Sequence, residues 1–346
     1  MPQKDVVNIY SFARCDHRLE SPNFDPSSRD AALAGITSIH FMKHVSWIND
    51  VMKALPESLV LWLQPALGSF LAQKRRSRAQ IEKIMAGDEE WRGTDHPTIF
   101  HTILDSKLPP HEKSVERLSD DAQVVVMAGT ITTAATLELI TFWLLSQPET
   151  LQKLKEELRT VMPSVDDVGK VPLATLEALP YLTAVIKEGL RLSYGLSTRA
   201  QRIDPDNPIL FADKATGREY AIPPKTSVSI MSVQVHTDES IFPDNKKFIA
   251  ERWLGDEGRK LDRYLTSFGK GSRSCVGVNL AYGELYLTLA YMWRLWGSTG
   301  GATLSDDVGV LGLFGTGLRD VEMEADYFVP TPQKGSQGIR VKAYRV

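Results

Sequence analysis

Apolar residues recur at helical spacing through the first half of the chain and well beyond it, and the pattern changes at Ala200. The stretch LVLWLQPALGSFLAQKRRSRAQIEKIM begins apolar, is interrupted at Pro65 and Gly68, and ends as a basic amphipathic helix. After a polar loop at Asp88–Asp95, His96 to Leu108 predicts a short helix, which Pro109-Pro110 ends. Ser119 is placed as the N-cap of the next helix, with Asp120 and Asp121 in its first turn and its end near Leu145. Gln147-Pro148-Glu149 starts another, ETLQKLKEELRTVM, and LATLEALPYLTAVIKEGLRLSYG follows with helical spacing around Lys187 to Arg191. From Ala200, ILFADKATGREYAIPPKTSVSIMSVQVH alternates, carries Gly and Pro at turns, and predicts short strands. Asn279 to Trp296 returns to helix, and the C-terminal part reads as loops and short strands. There is no internal repeat and no linker-like boundary. The expectation is one mainly α domain with small β-sheets over 1–346. Within it, 1–118 is a helical region, 119–200 holds the long helix and its successors, and 201–346 holds a β-subdomain and the last helix.

Composition narrows the classes without choosing among them. The chain has 346 residues, 42% hydrophobic and 24% charged, so collagen-like, coiled-coil and disordered readings fail. A net charge of -3 makes no case for a nucleic-acid partner, and Lys74 to Arg78 reads as a solvated helix face. Two cysteines cannot form a disulfide framework or a four-cysteine zinc site. Cys15, in a mixed polar stretch, reads as an ordinary thiol. The N-terminal residues MPQKDVVNIYSFARCDHRLE hold no apolar run long enough for a signal peptide or anchor. The longest apolar run, Val124 to Leu145, contains Glu138 and several threonines and reads as a buried helix, not a membrane span. His40 and His44 have metal-ligand spacing, but Phe41-Met42-Lys43 supplies no general base and no third ligand is evident, so a helix surface is expected.

The chemistry concentrates at Phe268-Gly269-Lys270-Gly271-Ser272-Arg273-Ser274-Cys275-Val276-Gly277, which leads directly into the last helix. A glycine-rich loop before a helix first suggests phosphate binding. The Walker pattern fails, because Tyr264 stands at its first glycine and Gly271 follows Lys270 in place of Ser or Thr. No Gly-x-Ser-x-Gly elbow is present either. What remains is a cysteine at a helix N-terminus, where the dipole and free N–H groups favour a thiolate. A thiolate so placed is a nucleophile or a metal ligand.

This decapeptide resembles the heme-binding loop of the cytochrome P450 family, with Phe, Gly, Arg, Cys and Gly all in register. The resemblance implies that Cys275 is the axial thiolate of heme (iron protoporphyrin IX), whose electron donation assists O–O cleavage. It implies that Phe268 packs near the thiolate, that Gly271 and Gly277 let the backbone approach the ligand, and that Arg273 pairs with a propionate. Three further segments match in the expected order. Glu188-Gly189-Leu190-Arg191 reproduces the family's Glu-x-x-Arg element, whose two charges share a helix face. Ala250-Glu251-Arg252-Trp253 resembles its Pro-Glu-Arg-Phe/Trp element, with Ala for the leading Pro, and the resemblance brings Arg252 into the same ion network. Arg202 falls where the family often places a second propionate partner.

The segment Ala128-Gly129-Thr130-Ile131-Thr132-Thr133 resembles the family's oxygen-binding stretch, where small residues admit a ligand near the helix backbone. The Thr132 hydroxyl can bond the carbonyl one turn back and distort the helix locally. By the resemblance, Thr132 and Thr133 are the catalytic positions. The acid that usually precedes the paired threonines is Ile131 here, which bears on proton delivery.

PYLTAVIKEGLRLSYGLSTRAQR and GLFGTGLRDVEMEADYFVP look most like filamentous-fungal members serving secondary metabolism. Nothing corresponds to the family's N-terminal portion, about 150 residues or one average domain. The expectation is therefore an N-terminally truncated member, whether an incomplete gene model, a splice form or a degenerate paralogue. The first function implied is a monooxygenase that inserts oxygen from O2, by default hydroxylating, into an apolar terpenoid or polyketide intermediate. With no dinucleotide or flavin module in the chain, electrons would come from an NADPH-dependent flavoprotein, the NADPH-cytochrome reductase. Arg259, Lys260, Arg263 and Lys270 read either as its docking patch or as a solvated basic loop. The alternatives are an isomerase or dehydratase that needs no reductase, and an inactive remnant. The family places such enzymes on the endoplasmic reticulum membrane; no anchor is expected in this chain.

Overall fold

The computed structural model describes residues 2–21, 35–36, 44–45, 47–63, 65–87 and 96–345. His40 lies outside them. Six helices position everything that follows: α1 (Pro2–Phe12), α2 (Gly68–Met85), α3 (Val115–Ser146), α4 (Pro148–Val161), α5 (Pro180–Leu192) and α6 (Val278–Leu295). Shorter helices fill the connections, among them Ile99–Asp105, which Thr98 caps by accepting the His101 N–H.

The central helix α3 starts one turn earlier than Ser119. Ser114 has extended backbone and its Oγ accepts the Arg117 N–H at 3.3 Å, so it is the cap. Ser119 lies inside the helix, where its hydroxyl donates to the Val115 carbonyl. The first of the two serines wins because the 3-10 turn Pro110–Lys113 ends at Ser114, whose own backbone is extended, and α3 begins directly after it. The helix stays α-helical over its 32 residues. Thr132 lies within this continuous helix, and its hydroxyl donates to the Ala128 carbonyl one turn back.

Among the described residues, α3 is the one helix long and apolar enough to cross a membrane by length and composition. Leu118, Ile140 and Leu144 on it are fully buried between other helices, and a core helix passes the same test. Its N-terminal half packs with α1, α2 and Ile99–Asp105 around Val7, Phe12, Ile81, Phe100, Leu118 and Val126. Its C-terminal half packs with α4, α5 and α6 around Ile140, Leu144, Leu154, Leu182, Leu289 and Trp293. Each such side chain contributes about 1.5–3 kcal/mol by leaving water.

Lys155 of α4 is fully buried in that second core. Its Nζ donates to the carbonyls of Trp293 and Trp296, both at 2.8 Å, and pairs with Asp307 at 2.9 Å. The unsatisfied carbonyls at the end of α6 suit a cation. Burial pulls the lysine pKa down, and the Asp307 carboxylate opposes that pull.

The strands are short and lie in the C-terminal half. β1 (Ala200–Arg202) pairs antiparallel with β4 (Val228–Ile230), and β2 (Ile209–Asp213) with β3 (Arg218–Ile222). β5 (Trp296–Ser298) lies parallel to β6 (Gly309–Leu313), which β9 (Val341–Arg345) joins antiparallel. β7 (Ala325–Tyr327) and β8 (Val329–Thr331) form the last hairpin. A mainly α chain with small sheets is thus what the periodicity predicts.

Candidate functional site

The Glu-x-x-Arg pair of α5 is a buried cluster, not a solvated surface pair. Glu188 and Arg191 are both fully buried. Arg191 donates Nε to Glu188 Oε2 at 2.9 Å and Nη2 to Oε1 at 2.8 Å, the two-point geometry that makes such pairs strong. Arg252, on the short turn Ala250–Trp253, adds its Nε to Glu188 Oε1 at 3.1 Å. The Trp253 indole N–H donates to Glu188 Oε2 at 2.9 Å, and the Ile249 N–H to Oε1 at 2.9 Å. The remaining Arg191 donors go to the carbonyls of His236, Asn245 and Lys247. A carboxylate with five donated bonds and a guanidinium with no idle nitrogen can be buried without a stranded charge.

Cys275 stands on the loop between this cluster and α6. Gly269 and Gly271 take φ of +70° and +77°, and Gly271–Arg273 forms a single 3-10 turn. The Cys275 N–H donates to the Phe268 carbonyl at 2.8 Å and the Ser274 N–H to the Gly271 carbonyl at 3.0 Å, closing the loop on itself. The thiol is exposed, and residues 271–276 are all exposed with it, including Val276 at 99%. Gly277 caps α6, and a Cβ there would sit 3.9 Å from the Cys275 sulfur. The Phe268 ring packs on Tyr282 of α6 at 5.3 Å. Among the described residues nothing hydrogen-bonds to the sulfur or to the Arg273 guanidinium. Arg202, on β1, is exposed and donates to the neighbouring Gln201 carbonyl at 2.9 Å.

The first turns of α6 lead from the cysteine toward α3. Leu280 packs against the core that includes Val126, and Glu284 lies by Thr133. On α3, Val124, Ala128 and Ala135 are exposed and Ile131 and Thr132 half-buried, an open stripe of mostly apolar side chains on an otherwise packed helix. Thr132 donates its hydroxyl to the Ala128 carbonyl at 2.8 Å. Thr133 points into the protein and is buried. Gly129 was expected to admit a ligand. Its close neighbour is instead α1: a Cβ would lie 2.8 Å from Val7 Cγ2. The exposed small residue beside it is Ala128.

Sequence reasoning did not single out Glu284. It is 8% exposed, and neither carboxyl oxygen has a well-formed hydrogen bond. Burial pushes its pKa up to about 7, and the Thr133 hydroxyl pulls part of the way back. The signal available was one acid in an otherwise apolar helix. Of the four basic residues before the cysteine, two pair with acids, Arg259 with Asp256 and Lys260 with Glu257, while Arg263 covers the Tyr264 ring and Lys270 donates to the Asp262 carbonyl at 3.4 Å. That surface is mixed in charge rather than a plain basic patch.

These features fit a heme: an exposed sulfur with no protein partner, a free guanidinium two residues away, and an open apolar stripe. They fit the heme-thiolate class of proteins. The chain matches the family model for cytochrome P450 over residues 38–295, and it belongs to that family. Its relatives include the cytochrome P450 monooxygenase tpcC of Cochliobolus heterostrophus, 47% identical over 339 residues, which covers 98% of this chain and 64% of the relative. The monooxygenase astB of Talaromyces wortmannii is 42% identical over 344 residues, 98% of this chain and 63% of the relative. The N-acetyltryptophan 6-hydroxylase ivoC of Emericella nidulans is 33% identical over 345 residues, with the same coverage. The chain thus spans under two thirds of the length of these curated relatives.

Proposed function

We propose that the protein is a heme-thiolate monooxygenase of fungal secondary metabolism that hydroxylates an apolar substrate. The observation that carries this reading is the exposed, unpartnered Cys275 sulfur on a loop that its own backbone bonds and the buried cluster hold in place. When bound, heme would supply the activation of O2 for insertion of one oxygen atom into a C–H bond. Cys275 would hold the iron, Arg273 a propionate, and Arg202 a second one once its guanidinium swings from the Gln201 carbonyl. Phe268 would shield one side of the sulfur. Thr132, with its hydroxyl proton held by the Ala128 carbonyl, would accept a hydrogen bond on the open side of α3, and Val124, Ala128 and Ile131 would present an apolar wall to substrate. Thr133, turned inward, would act only through Glu284.

Relatives named as hydroxylases of N-acetyltryptophan and tryptophan support hydroxylation over rearrangement. Electrons would come from an NADPH-dependent flavoprotein reductase. The mixed charge at 256–270 supports docking by matched pairs in place of a simple basic-to-acidic contact.

The test is a reduced carbon-monoxide difference spectrum of the chain expressed with a heme supply, beside Cys275→Ser. A thiolate-type Soret band that disappears in the variant is the expected result. No heme uptake, or a band indifferent to the substitution, would overturn the assignment of Cys275 and leave the remnant reading standing. Product formed in a loaded protein without any reductase would replace oxygen insertion by isomerisation or dehydration.

A further inference from the structure

Between the buried ion cluster and the cysteine loop stands one side chain that the proposed chemistry does not use. His236 ends the short helix Ser232–His236 and is fully buried. Its Nδ1 lies 2.9 Å from the Arg191 carbonyl oxygen and its Nε2 lies 2.9 Å from the Thr266 backbone nitrogen. A carbonyl only accepts and a backbone N–H only donates, so the ring is neutral and carries its proton on Nδ1. Burial, reinforced by the Arg191 charge, pushes the histidine pKa down to about 4, which preserves the Nε2 lone pair. Arg191 also holds this residue from the other side, since its Nη1 donates to the His236 carbonyl at 2.9 Å.

From Thr266 the bonds continue to the cysteine. The Gly269 N–H donates to the Thr266 carbonyl and the Cys275 N–H to the Phe268 carbonyl, both at 2.8 Å. Ser267 Oγ donates to the Leu190 carbonyl at 2.7 Å. At Gly195 (φ +66°) a Cβ would lie 2.1 Å from the Ser267 backbone carbonyl oxygen, so the segment is pressed onto the turn that follows α5. Tyr194 and Phe242 flank the imidazole at 6.3 and 6.2 Å, ring contacts that use neither of its nitrogens.

We propose that His236 is the positioning residue of the cysteine loop: by accepting the Thr266 N–H while donating to the Arg191 carbonyl, it ties that loop to the Glu188–Arg191 cluster and sets where the Cys275 sulfur stands. The bridge is a property of the protein chain; its consequence for the sulfur rests on Cys275 being the iron ligand.

Three variants separate bonding from bulk. His236→Gln keeps an acceptor where Nε2 stood, His236→Asn keeps only the donor near Nδ1, and His236→Phe keeps only the ring. Backbone hydrogen exchange of residues 265–275 is measured on each chain without heme. Asn and Phe are expected to speed exchange there by roughly tenfold, and Gln by no more than about threefold, with α4 unchanged. In the heme-loaded chain, Asn and Phe should move the carbon-monoxide Soret band away from the thiolate position while Gln retains it. Equal exchange in Asn and Gln, or a thiolate band kept by all three, would overturn the positioning role and leave Cys275 as ligand. Should His236→Phe not fold, the Asn and Gln pair decides. The expected exchange pattern in a chain with no thiolate band of its own would uphold the bridge and overturn the ligand assignment.

Discussion

The two cores of this chain are held by different means. Around Phe100 the packing is apolar; Lys4, Asp5 and Arg18 are buried at its α1 edge, and the pairs Arg78 with Glu82 and Glu116 and Lys74 with Asp120 stand substantially exposed at the rim. Around Trp293 the protein buries Lys155, Glu188, Arg191 and Arg294 completely. Exposed pairs contribute little and tolerate loss. Buried ones gain little over an apolar core of the same shape, yet are costly to break, because each partner left behind is a charge without water. The second core is therefore the more tightly specified of the two, with four fully buried charged side chains. It is the second that carries the cysteine loop. The loop that carries Cys275 is attached where charges have fixed partners.

The comparison breaks most visibly at Arg191. Arg191→Ala leaves Glu188 buried with only Arg252, Trp253 and one backbone N–H, and should cost about 3–5 kcal/mol, read as a large fall in the urea midpoint or as loss of soluble protein. Glu284 gives an intermediate effect with a pH signature. Its folded pKa, about 7, lies above the ordinary 4.5. Between those values the unfolded chain has released a proton that the folded one retains. The stabilising contribution is therefore complete below pH 4.5 and is lost as pH rises through 7. Glu284→Gln has no proton to lose, so it should be more stable than the parent above neutrality, by about 3 kcal/mol as read from the urea midpoint, and converge with it at low pH. His236 slopes the other way, since its depressed pKa removes stability only as pH falls from 6.5 through about 4. A pH series on the His236→Phe chain should therefore show a shallower acid limb than the parent. The smallest effect is expected at Arg78: Arg78→Ala should leave the urea midpoint unchanged, although it removes two ion pairs at the rim of the first core.

Much of this was legible in local sequence. Helices α3 to α6 follow from apolar spacing, and the strands begin where alternation begins, at Ala200. The cysteine loop and the Glu-x-x-Arg pair are short-range patterns, which a linear reading detects. Ser114 and Ser119 show one limit: two serines in a polar run are equally good caps on composition, and the backbone entering the helix decides. His236 shows a deeper one. Its two hydrogen bonds reach residues 45 and 30 positions away, a separation that no periodicity encodes. Gly129 misled for a similar reason. A small residue in a helix signals close approach, but only the fold says that the approaching group is Val7. Glu284 was visible as an acid among apolar residues, and its meaning waited on the helix beside it.

Lys155 has a practical consequence. Its amine is sealed between the Trp293 and Trp296 carbonyls and Asp307, so an acylating reagent cannot reach it while α4 lies against the end of α6. Lys153, half-exposed on the same helix, is open to the reagent without any such movement. The ratio of the two modifications within one proteolytic peptide is then a clock for the opening of the larger core, readable by mass alone without dye, ligand or assay.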